Sequence, residues 1–314
     1  MRYATLIASA IVLAAPTAVY AAECEPVFAS SDETVTINSV EIEPFGVTTE
    51  NVRIRVRNAA GSPGNGPGMG DPMGGAGDTM PCGATIRVSR IDGPTDPDFP
   101  PYALRAPGNQ LIEILPDESS GGTTDSDIVI ANAPPGPQGR AVPFKVTVAT
   151  EWGLRAGTYT ETLRLTLFDE NGAITDRSTL TITIVIPSAV SVRLVGAVSG
   201  GIDGPARVDL RELSKTAETT SDPFGALIFS TAPYVVSFVS VNLGNLLHEE
   251  GVEQIPYRLS FDGAVVDLAG ANEFVYPLPT PKAGRMGPLS IVVPPVVALA
   301  GRYSDRVTIT VTAM

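Results

Sequence analysis

Near the C-terminus, Val307, Ile309 and Val311 alternate with Thr308, Thr310 and Thr312. β-Branched residues with a period of two predict a strand with one apolar and one polar face. This run comes after Ala300-Gly301-Arg302-Tyr303. The same words occur earlier, where Ala156-Gly157-Thr158-Tyr159 leads into Leu163, Leu165 and Leu167 alternating with Thr162, Arg164 and Thr166. Both copies come after a Pro-led apolar run, Pro143-Phe144-Lys145-Val146-Thr147-Val148 and Pro288-Leu289-Ser290-Ile291-Val292-Val293. A repeat of this kind predicts two related β-domains.

The two copies continue differently. After the first, Asp169-Glu170-Asn171-Gly172 predicts a turn into a further strand, with Leu180, Ile182, Ile184 and Ile186 on one face and Thr179, Thr181 and Thr183 on the other. After the second, the sequence ends at Met314. The expectation is one domain closed by a hairpin partner and one left a strand short. A competing alignment, which sets Thr175-Asp176-Arg177 against Ser304-Asp305-Arg306, weakens that contrast.

Short strands bounded by turn residues account for most of the rest. In the first half, Val52, Ile54 and Val56 alternate with Arg53, Arg55 and Arg57, which reads as a half-buried strand with a solvated Arg row. Three Gly/Pro-rich loops interrupt this half. Residues 61–77 carry Met69 and Met73, with Met80 just beyond; residues 91–102 end in Phe99-Pro100-Pro101-Tyr102; residues 131–139 carry Pro134 and Pro135. Apolar side chains on loops usually cap a core, yet three such loops in one domain point to a contact surface.

Composition supports an all-β chain: 31 Gly and 28 Pro punctuate short runs, and helical periodicity is almost absent. Arg2 followed by an apolar run over residues 6–15 and small residues up to Ala21 predicts a secretory signal, residues 1–21, too short to span a membrane. A formal net charge of −13 disfavours nucleic acid as a partner. The two cysteines, Cys24 and Cys82, form an even pair in an exported chain and read as a disulfide; two thiols without a His-rich neighbourhood make a poor metal site.

No catalytic constellation emerges. The one histidine, His248, lies beside Glu249 and Glu250 and reads as a surface residue, with nothing to set it against a nucleophile. Carboxylate pairs such as Asp117-Glu118 and Asp125/Asp127 sit in Gly/Ser-rich surroundings and read as solvated loop charge. The Gly-rich loops lack the Lys-Ser/Thr ending of a phosphate cradle. The Met residues lack Cys or His companions for copper. No cofactor, metal or enzymatic activity is expected.

The second half resembles the spore coat U domain family, the pilin-like domains of archaic chaperone-usher pili. The residues that carry the likeness are Ser240-Val241-Asn242-Leu243-Gly244-Asn245-Leu246, Ile255-Pro256-Tyr257-Arg258-Leu259-Ser260-Phe261-Asp262-Gly263, and Leu299-Ala300-Gly301-Arg302-Tyr303-Ser304-Asp305-Arg306-Val307-Thr308-Ile309-Thr310-Val311. The first half, with Cys24, Pro44-Phe45-Gly46 and Ala156-Gly157-Thr158-Tyr159, looks like a diverged relative. The second half departs from the family in having no cysteine.

The resemblance implies two immunoglobulin-like (pilin-like) β-sandwich domains in tandem: an adhesin-like domain over residues 22–187, and a pilin-like domain over 188–314 that lacks a strand. It implies a two-domain tip subunit that mediates surface attachment and biofilm formation. Its expected partners are a periplasmic chaperone, an outer-membrane usher, an adjacent pilin subunit that donates a strand, and an abiotic or host surface. Val307, Ile309 and Val311 are expected to line the groove for that strand. Met69, Met73, Phe99, Tyr102, Pro134 and Pro135 are expected to touch the surface. Only two or three residues precede Cys24 in the mature chain, too few for a donor strand of its own, which suits a subunit with nothing beyond it. The alternative is a secreted carbohydrate-binding protein, or another structural surface or spore coat β-protein, for which Trp152 is the one Trp that offers an aromatic platform.

Overall fold

The computed structural model describes residues 24–38, 42, 46–60, 82–92, 97–200, 205–270 and 272–314. The fold is all-β. The described residues contain strands and one short 3-10 turn, Pro107–Asn109. Two hydrophobic cores share no residue: one spans Phe28 to Ile186, the other is built from Phe224 to Val293. Each is enclosed by its own sheets.

The N-terminal sandwich is made of β1 (Pro26–Phe28), β2 (Asp32–Ile37), β3 (Gly46–Asn58), β4 (Ala84–Arg90), β5 (Tyr102–Arg105), β6 (Leu111–Ile112), β7 (Asp127–Ile130), β8 (Arg140–Thr150), β9 (Gly157–Asp169) and β10 (Ile174–Ile186). Its sheets have the orders β1-β3-β8-β5-β6 and β2-β10-β9-β4-β7. The C-terminal sandwich comprises β11 (Val190–Gly196), β12 (Thr219–Thr220), β13 (Phe224–Ser230), β14 (Tyr234–Ser240), β15 (Asn245–His248), β16 (Gln254–Pro256), β17 (Arg258–Phe261), β18 (Ala264–Val266), β19 (Glu273–Tyr276), β20 (Arg285–Val293), β21 (Tyr303–Ser304) and β22 (Val307–Ala313). Its main sheets run β11-β13-β20-β17-β18 and β19-β14-β22.

The two orders superimpose. β1, β3, β8, β5 and β6 correspond one for one to β11, β13, β20, β17 and β18, and β7, β4 and β9 correspond to β19, β14 and β22. Chain order and antiparallel sense agree at every step. The competing alignment is thereby settled: β22 pairs with β14 as β9 pairs with β4. Both copies also carry a tyrosine corner. The Tyr159 hydroxyl donates to the Arg155 carbonyl (2.9 Å) and the Tyr303 hydroxyl to the Leu299 carbonyl (3.2 Å), each four residues upstream, with Tyr159 near the start of β9 and Tyr303 in β21, just before β22.

Local sequence explains the strands that matter most. In β10, Leu180, Ile182, Ile184 and Ile186 are buried while the intervening Thr residues face outward. The turn before it is held by Asp169, whose Oδ1 accepts from the Asn171 and Ala173 amides, with Gly172 at φ +79°. Those amide bonds, that from Ala173 foremost, hold the Asp169 carboxyl below the usual carboxylate range. The Arg row behaves as a solvated face: Arg53 and Arg55 are exposed, while Val52, Ile54 and Val56 opposite them are buried.

Cys24 and Cys82 are joined by a disulfide, 58 residues apart in sequence. Closing a loop of that size stabilises a domain by about 4 kcal/mol in the chain-entropy model. Replacing both with Ser lowers the unfolding free energy of the N-terminal sandwich by about that amount. Denaturant titration followed by fluorescence of Trp152, the one Trp of the chain, measures it. A midpoint that does not move would show that the bridge adds no stability.

Candidate functional site

Besides the short strands β12, β15, β16 and β21 of the C-terminal sandwich, the two copies differ at the edge of β9 and β22. In the N-terminal copy, β9 is flanked by β4 on one side and β10 on the other, and β2 pairs in parallel with the far side of β10. In the C-terminal copy, β22 pairs with β14, and among the described residues no strand pairs with its other edge. Among the described residues of the C-terminal copy, the positions of β10 and β2 have no counterpart.

The burial of the facing side chains reflects this. Leu163, Leu165 and Leu167 of β9 are fully buried beside β10. Measured from the corner tyrosines, their equivalents are Val307, Ile309 and Val311, which pack on the C-terminal core yet stay only half-buried. On the opposite sheet the edge strand β11 presents Val190 and Leu194, also half-buried against that core. A row of unpaired backbone groups thus runs beside an apolar groove. In the N-terminal copy four side chains of β10 fill this place. At about 2 kcal/mol per buried aliphatic side chain, the corresponding burial is on the order of 8 kcal/mol, a sum comparable to the net stability of a domain.

The lead-in to β22 is rigidly held. Asp305 Oδ2 accepts from Ser240 Oγ (2.6 Å) and the Tyr257 hydroxyl (2.6 Å), while Oδ1 accepts from the Asn242 and Arg306 amides. The N-terminal copy has the same hub at Glu161, which takes the Tyr102 hydroxyl (2.5 Å) and the Arg90 guanidinium. Burial first, then the carboxylate neighbour, raises both phenols far above the ordinary tyrosine value. The signal was present in the sequence as Tyr159-Thr160-Glu161 and Tyr303-Ser304-Asp305, although pattern reading did not single out the acids.

This hub corrects the expectation for Tyr102, and its neighbour corrects that for Phe99. Tyr102 begins β5 and points its hydroxyl into the sandwich. Phe99 packs on the core, with its ring 5.9 Å from both Tyr102 and Tyr159. Neither is a loop tip, because a half-buried aromatic cluster gains more against Tyr159 than in water. The loops also fail to share one end. Tyr102 pairs with Val148, near the end of β8 that faces the C-terminal sandwich. Asn58, Cys82 and residues 131–139 lie at the opposite end, where Asn58 donates its amide to Pro134 and bridges Pro135. There Pro134 is half-buried and Pro135 exposed. Met69 and Met73 lie outside the described residues, between Ala60 and Cys82.

His248 is likewise not a surface residue. It is buried, with Nδ1 accepting from the Glu250 amide, Nε2 against the Ala300 carbonyl (3.3 Å) and the ring edge-on to Tyr303. Gly301, at φ +155°, leaves it room: a Cβ there would stand 2.1 Å from Nε2. Glu118 accepts from Arg164, Arg177 and Thr166, which holds its carboxyl below the usual range, the Arg177 bond first. Among the described residues no cluster of His, Cys, Asp or Glu is arranged to hold a metal.

The corrected place of Phe99 has a measurable outcome. Phe99→Ser lowers the unfolding free energy of the N-terminal sandwich by about 2 kcal/mol, the value of a half-buried aromatic side chain. Denaturant unfolding followed by Trp152 fluorescence reads it. An unchanged midpoint would return Phe99 to the solvent-facing surface.

No family model matches the chain, and no curated protein matches it. Solved structures of similar shape include pilus tip adhesins at low identity. One is the CsuC-CsuE chaperone-tip adhesion subunit pre-assembly complex from archaic chaperone-usher Csu pili of Acinetobacter baumannii, at 13% identity and a TM-score of 0.44 over 90% of this chain and 98% of the other. Another is CfaE, the adhesive subunit of CFA/I fimbria of enterotoxigenic Escherichia coli, at 10% identity and a TM-score of 0.34 over 90% of this chain and 98% of the other. A third is the CupB6 tip adhesin from Pseudomonas aeruginosa, at 12% identity and a TM-score of 0.35 over 92% of this chain and 95% of the other. With TM-scores below 0.5, these likenesses assign no function.

Proposed function

We propose that this chain is an exported, non-enzymatic tip subunit of a chaperone-usher type pilus. In this reading the C-terminal domain, residues 188–314, is completed by a strand from another chain, and the N-terminal domain, residues 22–187, makes contact with an abiotic or host surface, in attachment and biofilm formation. The observation that carries it is the open edge of β22, in a sandwich whose twin keeps the same edge covered by β10.

The chemistry of the guest strand can be taken from β10. It alternates large apolar and polar residues, sets four aliphatic side chains into the groove beside Val307, Ile309 and Val311, and runs antiparallel to β22 as β10 runs to β9. An edge of this kind left open is an aggregation hazard. A periplasmic chaperone therefore occupies it first, and the neighbouring pilin subunit replaces the chaperone at the usher. The surface-contact residues in this reading are Pro134 and Pro135 with Met69 and Met73, since the described ends of that segment, Ala60 and Cys82, and residues 131–139 meet at the end of the N-terminal sandwich away from the groove. Adaptable apolar side chains suit attachment of low specificity and high multivalency.

Trp152 speaks against the carbohydrate-binding alternative. Its ring centroid lies 5.4 Å from that of Phe229, so it is not an open stacking platform.

The chain supplies its own test. Replacing Ala313 and Met314 with a copy of residues 169–186 reproduces the hairpin that joins β9 to β10, the turn-holding Asp169 carboxylate included, and lays a β10-like strand on β22. The extended protein is expected to be a soluble monomer that melts cooperatively, with its midpoint well above that of the unextended protein. The unextended protein, made without a chaperone, aggregates. A soluble, monomeric unextended protein whose melting the extension leaves unchanged would sink the open-groove reading.

A further inference from the structure

The junction between the sandwiches is an interface built from a defined segment. Residues 151–156, which connect β8 to β9, dock on the C-terminal sandwich. Glu151 pairs with Lys282 (2.5 Å), Trp152 lies against Phe229, Gly153 lies so close to Lys282 that a Cβ on it would stand 3.0 Å from that residue, and the Ala156 amide donates to the Thr231 carbonyl (2.7 Å). Arg193 of β11 stacks on the other ring of the pair, Phe229.

The C-terminal sandwich has the same segment. Counting back from the tyrosine corner, Ala300 matches Ala156, Leu299 matches Arg155, and Val297 matches Gly153. Ala298, like its match Leu154, turns inward against its own core. Val297 and Leu299 turn outward and are 78% and 58% exposed. In the N-terminal copy this connection is covered by the next sandwich; in the C-terminal copy no described residue covers these two side chains.

We infer that residues 294–300 form the docking surface for the folded body of the strand-donating subunit, in the manner in which residues 151–156 dock on the C-terminal sandwich. The inference rests on the reading that β22 accepts a strand from another chain. The occupant is the subunit that lends the strand, and the direction of the groove decides on which side its body lies. At its Ala313 end, β22 meets Tyr234, next to Pro233 and to Thr231, which is already bonded to the N-terminal sandwich. That mouth is blocked for a folded partner. The free mouth is at Val307, directly after the lead-in that Asp305 and the Tyr303 corner hold in place. A strand antiparallel to β22 runs toward Val307, so a partner that lends a strand from its N-terminal side has its body at that mouth, beside Val297 and Leu299.

Photo-crosslinking in cells that make the assembled structure tests this on the full chain. A benzophenone amino acid is placed singly at Thr310, on the open strand; at Val297; at Leu299; and at Val265, an equally exposed apolar control on β18 (68%). Material sheared from the cell surface is irradiated, and the products are mapped by mass spectrometry. The expected result is that Thr310 captures the donated strand of one partner, that Val297 and Leu299 capture the same polypeptide at a peptide outside that strand, and that Val265 captures neither. If Thr310 captures a partner while Val297 and Leu299 capture nothing, only the donated strand, or a different chain, the docking surface is wrong and the strand reading stands. Capture of the partner's body by Val265 as efficiently as by Val297 also overturns the docking surface. If Thr310 itself captures no chain, the strand reading falls and the docking surface with it.

Discussion

An unpaired strand edge above an apolar row is a state that protein structure does not leave exposed to water at no cost. Backbone N–H and C=O groups need partners, and half-buried aliphatic side chains need cover. In this chain the same strand is built twice. Around β9 both demands are met within the sandwich, by β10 and then β2. Around β22, among the described residues, they are met on one side only. Everything proposed about assembly descends from that asymmetry, because the two copies share strand order, sense and corner geometry and so act as each other's control.

The repeated hubs explain why the edge remains straight and ready. A carboxylate two residues beyond the corner tyrosine, Glu161 in one copy and Asp305 in the other, gathers a phenol and a donor from the neighbouring strand. Charge-assisted hydrogen bonds of this sort are stronger than neutral ones, and most of those made by Asp305 fix the turn before β22. The strand is therefore presented by a rigid frame. Preorganisation of this kind limits the ordering cost that a guest strand would otherwise meet.

The junction adds a second constraint. Trp152, Phe229 and Arg193 form a stack, flanked by the Glu151–Lys282 pair and by the backbone bond from Ala156 to Thr231. Thr231 also donates its hydroxyl to the Pro187 carbonyl and accepts from the Ala189 amide, so the connecting residues are tied to the same turn. One end of the C-terminal groove is closed by these contacts, which gives the molecule a direction.

The sequence alone determined the strands and the repeat. Alternation of Val, Ile and Leu with Thr is a local property of each strand, and the recurrence of Ala-Gly-x-Tyr before Leu163 and Val307 makes the two copies visible without a structure. It also showed that the first copy continues into β10-like residues. Only the tertiary structure decided what those strands lie against. It set β2 parallel to β10, about 147 residues away, drew Phe99 and Tyr102 from an apparent loop onto Tyr159 and Glu161, and buried His248 under the segment from Ala300 to Tyr303. The physical reason is one of range. Periodicity reports which face of its own strand a side chain takes, whereas its partner across the sandwich is chosen by topology, from residues far away in the chain.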